Sequence, residues 1–159
     1  MSQEIELLLV EDDPADVELT LLALRNNHFA NRIQVVRDGE EALDFLFCRA
    51  AFSERSPEVP PKLVLLDLKL PKVDGIEVLR QLKEDPATRT IPVVILTSSR
   101  EERDLANGYR LGVNSYIRKP VDFDEFRTTV QQLGLYWLLV NEPPLPPRPE
   151  RDRDREAEP

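Results

Sequence analysis

Five short apolar runs, each followed by a stretch whose apolar residues recur at helical spacing, constrain this chain more than any other feature. They read IELLLV (5–10), RIQVV (32–36), KLVLLD (62–67), PVVILT (92–97) and NSYIR (114–118). Strand alternating with helix predicts a parallel sheet with helices on both faces, because a parallel connection needs a crossover segment. The first, third and fourth runs are almost continuously apolar, as strands buried on both faces are. RIQVVR and NSYIRK interleave polar residues, as edge strands do. Putting runs two and five at the edges gives the strand order 2-1-3-4-5. The fold class is therefore α/β, a flavodoxin-like doubly wound parallel sheet of five strands with five helices, its switch point between strands one and three.

Local signals support this reading. Asp13 as cap, Pro14 at the first position and Asp16 in the first turn start helix one, with Val17, Leu21 and Leu24 on one stripe. The last helix starts at Asp122, with Glu125 three residues on in a capping-box arrangement. RAAFSERSPEVPPK (49–62) is too long for a minimal connection and carries three prolines, so it reads as a surface loop. From Asn141 onward the chain holds six of its 14 prolines and then alternating charges, which predicts a disordered, extended tail over 141–159 after one domain over 4–140.

Charge and composition exclude several functions. A formal net charge of -9 offers no basic footprint for a phosphate backbone, so no direct nucleic-acid binding is expected. The single cysteine, Cys48, cannot form an internal disulfide and reads as a small buried apolar group. No run approaches the roughly 18 apolar residues of a membrane span, and the N-terminus lacks a signal-peptide pattern, which suggests a soluble cytoplasmic protein with no membrane partner. His28 reads as a solvated side chain.

In an open parallel sheet, ligands gather beyond the carboxyl ends of the strands. Here those ends carry Glu11, Asp12 and Asp13, then Asp67, then Thr97 and Ser98, then Lys119. An ionised acid at the end of the most buried run needs compensation, and Glu11, Asp12 and Asp67 together must either raise a pKa or recruit a cation. An all-oxygen set favours Mg²⁺. Asp13 alone reads as a helix cap. Pro120, following Lys119, could fix a backbone that aims the ammonium across the strand ends. A carboxylate can attack phosphorus, a divalent ion can neutralise the incoming group, and a hydroxyl with an ammonium can hold the transferred oxygens.

With the acidic pair after strand one, DLKLPKVDG with Asp67 eight residues before Gly75, Thr97 thirty residues after Asp67, Tyr116, and Lys119 followed by Pro120, the sequence resembles the receiver domain of two-component response regulators over residues 4–140. The resemblance implies that Asp67 is the phosphoacceptor, that Glu11, Asp12, Asp67 and the backbone carbonyl of Lys69 bind Mg²⁺, and that Thr97 and Lys119 contact the phosphoryl oxygens. It also implies a switch in which Thr97 moves and Tyr116 swings inward. The chain would then be a phosphoacceptor signalling domain and not an enzyme acting on other substrates. The long loop before strand three, IPVVILTSS, VNSYIRKPVDFDEF and the aromatic end of the last helix look most like single-domain regulators paired with phytochrome histidine kinases. Tyr136 departs from that subgroup, where Phe is expected, and the charged tail is extra.

The last helix also predicts a partner. Phe126, Val130, Leu133, Trp137 and Val140 form one stripe, yet Leu135, Tyr136, Leu138 and Leu139 make the opposite side apolar. A helix apolar all round needs cover twice, which suggests a homodimer through helix four, strand five and helix five, or a tail folded back. Two other functions fit the sequence less well. An aspartyl-nucleophile phosphohydrolase usually carries a second acid two residues after the nucleophile, where this chain has Lys69. A pseudo-receiver that binds partners without phosphorylation would have no need of the complete acid and lysine set. Flavin or dinucleotide binding is disfavoured because the five glycines form no phosphate-cradling loop.

Overall fold

The computed structural model describes residues 5, 7–25, 32–97, 110, 112, 115–118 and 128. Its centre is a five-stranded sheet: β1 (Leu7–Val10), β2 (Ile33–Val36), β3 (Leu63–Leu66), β4 (Val93–Thr97) and β5 (Ser115–Arg118). The spatial order is β2-β1-β3-β4-β5 and every neighbouring pair is parallel, as the apolar runs predict. All residues of β1 and β3 are buried, whereas β2 is mostly half-buried, as an edge strand should be.

Helices α1 (Pro14–Arg25), α2 (Gly39–Leu46) and α3 (Gly75–Glu84) follow β1, β2 and β3. Period-two alternation divides the strands between two cores. Leu8, Val10, Val64, Leu66, Val93 and Ile95 join Ala42, Leu43, Phe45 and Leu46 of α2 and Val78, Leu79 and Leu82 of α3 in one cluster. Leu7, Leu9, Leu63, Leu65 and Val94 point the other way and are equally buried, so the sheet is covered on both faces. Fully burying side chains of this size contributes about 1.5–3 kcal/mol each. The central strands are thus packed on both faces, and what stands at their ends is anchored by them.

The caps are supplied by acids. Asp13 accepts from Ala15 N–H at 2.8 Å, Asp38 from Glu41 N–H at 2.8 Å and Asp74 from Ile76 N–H at 2.8 Å, each satisfying a donor of a first turn. On the exposed side of α3, Arg80 bonds both Glu77 and Glu84, and the Arg80 hydrogen bond holds the Glu77 carboxyl down at about 2. These groups are in water, so the triad adds little stability. Lys83 donates to the carbonyls of Arg89 and Ile91, both at 3.1 Å, and Thr88 Oγ1 to that of Leu82 at 2.6 Å, fastening the α3–β4 connection.

Two expectations change. The segment 49–62 runs over the surface, but it is anchored by packing. A 3₁₀ turn at Ala50–Phe52 sets the Phe52 ring edge-on to Phe45, with centroids 5.1 Å apart. Arg55 lies over the Phe45 ring at 3.6 Å and donates to the Phe45 carbonyl and to Val59 O. Cys48 is the second change, since it is half-exposed and not buried. The physical reason is its place in the chain reversal after α2. Arg49 N–H bonds Asp44 O at 2.8 Å and Cys48 N–H bonds Phe45 O at 3.3 Å, a Schellman motif with Cys48 at φ 55 where glycine is preferred. The expected fourth and fifth helices, the Asp122–Glu125 capping box, the apolar face at 135–139, His28 and the tail lie outside the described residues.

Relief of that left-handed conformation gives a stability prediction. Cys48→Gly is expected to raise the unfolding free energy by about 1 kcal/mol. Urea unfolding measures it. An unchanged or lower midpoint would mean that the 3.6 Å contact of Arg55 Nη1 with Cys48 Sγ outweighs the backbone strain.

Candidate functional site: an acidic cluster at the strand ends

Parallel register decides which side chains meet. Val10 pairs with Leu66, so the residues that follow, Glu11 and Asp67, emerge side by side from the two central strands. Asp67 N–H bonds Val10 O at 3.0 Å and Glu11 N–H bonds Val36 O at 3.1 Å, which extends the ladder to the site. Leu66 in turn pairs with Ile95, two residues before Thr97, and Thr97 pairs with Arg118, the residue before Lys119.

One carboxylate oxygen from each of Glu11, Asp12 and Asp67 lies within 4.8 Å of the others. Glu11 is 3 % exposed, Asp67 is 7 % exposed, and Asp12 stands in solvent. Two buried acids and an exposed third make an all-oxygen set of the kind Mg²⁺ or Mn²⁺ takes. The residues present, all carboxylates with oxygens this close together, fit a small divalent cation.

The groups around the cluster orient it. Asp67 Oδ1 accepts from Lys69 N–H at 2.9 Å, which sets the rotation of the carboxylate. Glu11 Oε1 accepts from Asp13 N–H at 3.2 Å, while Asp13 itself caps α1, in agreement with its reading as a cap. Beside Asp12 lies an open depression of about 380 Å³ lined also by Leu68, Lys69, Leu70, Pro71 and Asp74. The segment 68–74 curls back so that Gly75 N–H bonds Leu68 O at 3.0 Å. A Cβ on Gly75 would stand 2.3 Å from the Asp67 carbonyl oxygen. That contact explains why glycine stands eight residues after Asp67: α3 begins against the backbone of the acid.

Of the residues singled out from sequence, Glu11, Asp12, Asp67 and Lys69 are brought together here. Thr97 ends β4 and Tyr116 pairs with Ile95 in β5, both known at the level of backbone. Lys119 and Pro120 lie outside the described residues. Sequence reasoning missed Asp38 and Gly39, whose RDGEE stretch carries the acid-then-Glu signal of a helix start. It also missed Asp74 as the cap of α3.

Three carboxylates at this range repel when no cation is present. Asp67→Asn is therefore expected to stabilise the metal-free chain by about 1 kcal/mol. The same variant should lose most of the gain the parent receives from divalent ions, which is about 2.7 kcal/mol at a hundred times the dissociation constant. Thermal unfolding with EDTA and with Mg²⁺ or Mn²⁺ checks both.

Comparison with known proteins identifies the family. The family described as "Response regulator receiver domain" matches residues 7–131. Among curated relatives, the probable methanogenesis regulatory protein FilR2 of Methanothrix harundinacea is 44% identical over 140 residues, covering 88% of each chain. Response regulator Rcp1 of Synechocystis sp. is 40% identical over 132 residues, covering 83% of this chain and 88% of that protein. The crystal structure of the Mn²⁺-bound form of Rcp1 superposes with TM-score 0.80 at 37% identity, covering 87% of this chain and 97% of the other. The phosphorylated cyanobacterial phytochrome response regulator RcpA gives TM-score 0.82 at 38% identity, covering 89% and 99%. Sheet order, acid cluster and a match spanning most of the chain agree: this chain belongs to the response regulator receiver family.

Proposed function

We propose that this chain accepts a phosphoryl group from a histidine kinase onto Asp67, and that the kinase is of the phytochrome type. The observation that carries the reading is the position of the Asp67 carboxylate, buried at the end of the central strand β3 and within 4.8 Å of Glu11 and Asp12 oxygens. The likeness to RcpA and Rcp1 supports the kinase class.

In this reading an Asp67 oxygen attacks the phosphorus of a phosphohistidine in line, the P–N bond breaks with its electron pair going to nitrogen, and the ring, already protonated on its other nitrogen, leaves as neutral imidazole. Glu11, Asp12, Asp67 and the Lys69 carbonyl would hold Mg²⁺, which when bound supplies the positive charge that lets two anions approach. The Lys69 N–H on Asp67 Oδ1 keeps the nucleophile oriented. Thr97 and Lys119 take the transferred oxygens, and Thr97 with Tyr116 converts the new charge into a population shift of the β4–β5 side. Attack of water on the acyl phosphate returns the carboxylate and inorganic phosphate. Residues 4–140 form the receiver and 141–159 a tail. Among the described residues no helix is long and apolar enough to cross a membrane, and a cytoplasmic location fits the reading.

Intact mass after incubation with acetyl phosphate and Mg²⁺ is the test. The parent is expected to gain one phosphoryl group, and Asp67→Asn none. Thr97→Ala and Lys119→Ala should each slow labelling by about a hundredfold, the scale on which removing one stabilising donor acts. Equal labelling of Asp67→Asn would sink the assignment, and turnover of varied phosphomonoesters would favour a phosphohydrolase.

The apolar residues on both sides of the helix expected over the end of the domain, Leu135–Leu139 among them, support a homodimer. Tyr136→Ala/Trp137→Ala is expected to give a monomer by light scattering where the parent is dimeric. An unchanged mass would refute an interface through Leu135–Leu139.

A further inference from the structure

The segment 68–74 that follows Asp67 is gripped from outside the acid cluster. Gly39, the first residue of α2, donates its N–H to Pro71 O at 3.2 Å. A Cβ on Gly39 would stand 1.8 Å from the Val73 carbonyl oxygen and 2.7 Å from the Val73 Cβ. Between those two residues Lys72, at φ 65, reaches Asp38 at 3.7 Å and Glu40 at 3.6 Å. Pro71, Lys72 and Val73 are thus all engaged by the start of α2, and none of these contacts is part of the chemistry assigned above.

The requirement for glycine at position 39 is one of space. Its backbone is not in the left-handed region, so another residue could adopt the conformation, but no side-chain carbon fits beneath Val73. Lysine is an uncommon choice for positive φ. The turn around it is closed by the Val73 N–H on Pro71 O at 2.8 Å, and its ammonium reaches Asp38, which caps α2, and Glu40 in the first turn.

We propose that Gly39, with Asp38 and Lys72, is a positioning latch: it clamps 68–74 onto the first turn of α2 and thereby fixes the Asp67 carboxylate and the Lys69 backbone for a divalent cation. The role of the cation rests on the function proposed above, whereas the clamp itself does not. The segment is tied at its start by the Lys69 N–H to Asp67 bond and at its end by Gly75 against Leu68 O. The latch supplies the third, middle attachment. Mg²⁺ demands near-ideal octahedral geometry, so a ligand set on a loosened segment binds it less well.

The test uses the full chain, with Mg²⁺ affinity by calorimetry, hydrogen exchange of peptides covering 67–75, and urea unfolding in EDTA. Gly39→Ala is expected to weaken Mg²⁺ binding about tenfold and to speed exchange in 67–75 while β1 and β3 stay protected. Lys72→Glu, which puts a third acid beside Asp38 and Glu40, should weaken binding about threefold with the same local exchange pattern. A folded Gly39→Ala with parental affinity and parental exchange in 67–75 overturns the latch. Should Gly39→Ala fail to fold, parental values for Lys72→Glu overturn it. Faster exchange in the variants, with a parent that binds no Mg²⁺, leaves the clamp standing and removes the metal reading instead.

Discussion

Electrostatic repulsion among Glu11, Asp12 and Asp67 is the constraint on which the rest of the structure turns. Carboxylates within 4.8 Å of one another, two of them buried, repel. The pairing of β1 with β3, strands buried along their whole length on both faces, carries Glu11 and Asp67 side by side, with the ladder continued by Asp67 N–H to Val10 O. The hydrophobic sheet is the frame that holds like charges close enough to want a cation.

Close backbone approach is the second theme. Gly75 lets α3 begin against the carbonyl of Asp67, and Gly39 lets α2 begin under the carbonyl of Val73. Both glycines serve as first residues of helices whose caps, Asp74 and Asp38, are acids. Two helices thus converge on one seven-residue segment, each through a missing side chain. The segment is in consequence a short strap held by both helices, although its proline, two lysines and aspartate would suit a mobile turn.

Legibility in the sequence followed the strength of the physical signal. The runs LLLV and LVLL could only be central strands, and they lie at the centre. The half-polar IQVV could be placed at an edge, and its burial agrees. Asp13 and Pro14 marked the start of α1 because capping is a local, near-neighbour interaction. Cys48 was misread because composition says cysteine is usually buried, while its actual place is set by a chain reversal that composition does not encode. The loop 49–62 was legible as surface but not as anchored, since the stacking of Arg55 on Phe45 joins residues whose meeting depends on where α2 ends.

For the site, the identities of Glu11, Asp12, Asp67 and Lys69 were readable because strand ends in a parallel sheet point to one edge and the acids stand at those ends. The order of the strands and the residue types thus came from the chain itself, through hydrophobic period and local capping, which act over a few residues. The distances among the carboxylates, the approach of Gly75 to Asp67 and the grip of α2 on 71–73 came only with tertiary structure. They join positions tens of residues apart, and their geometry is fixed by register and helix docking, which no local pattern records.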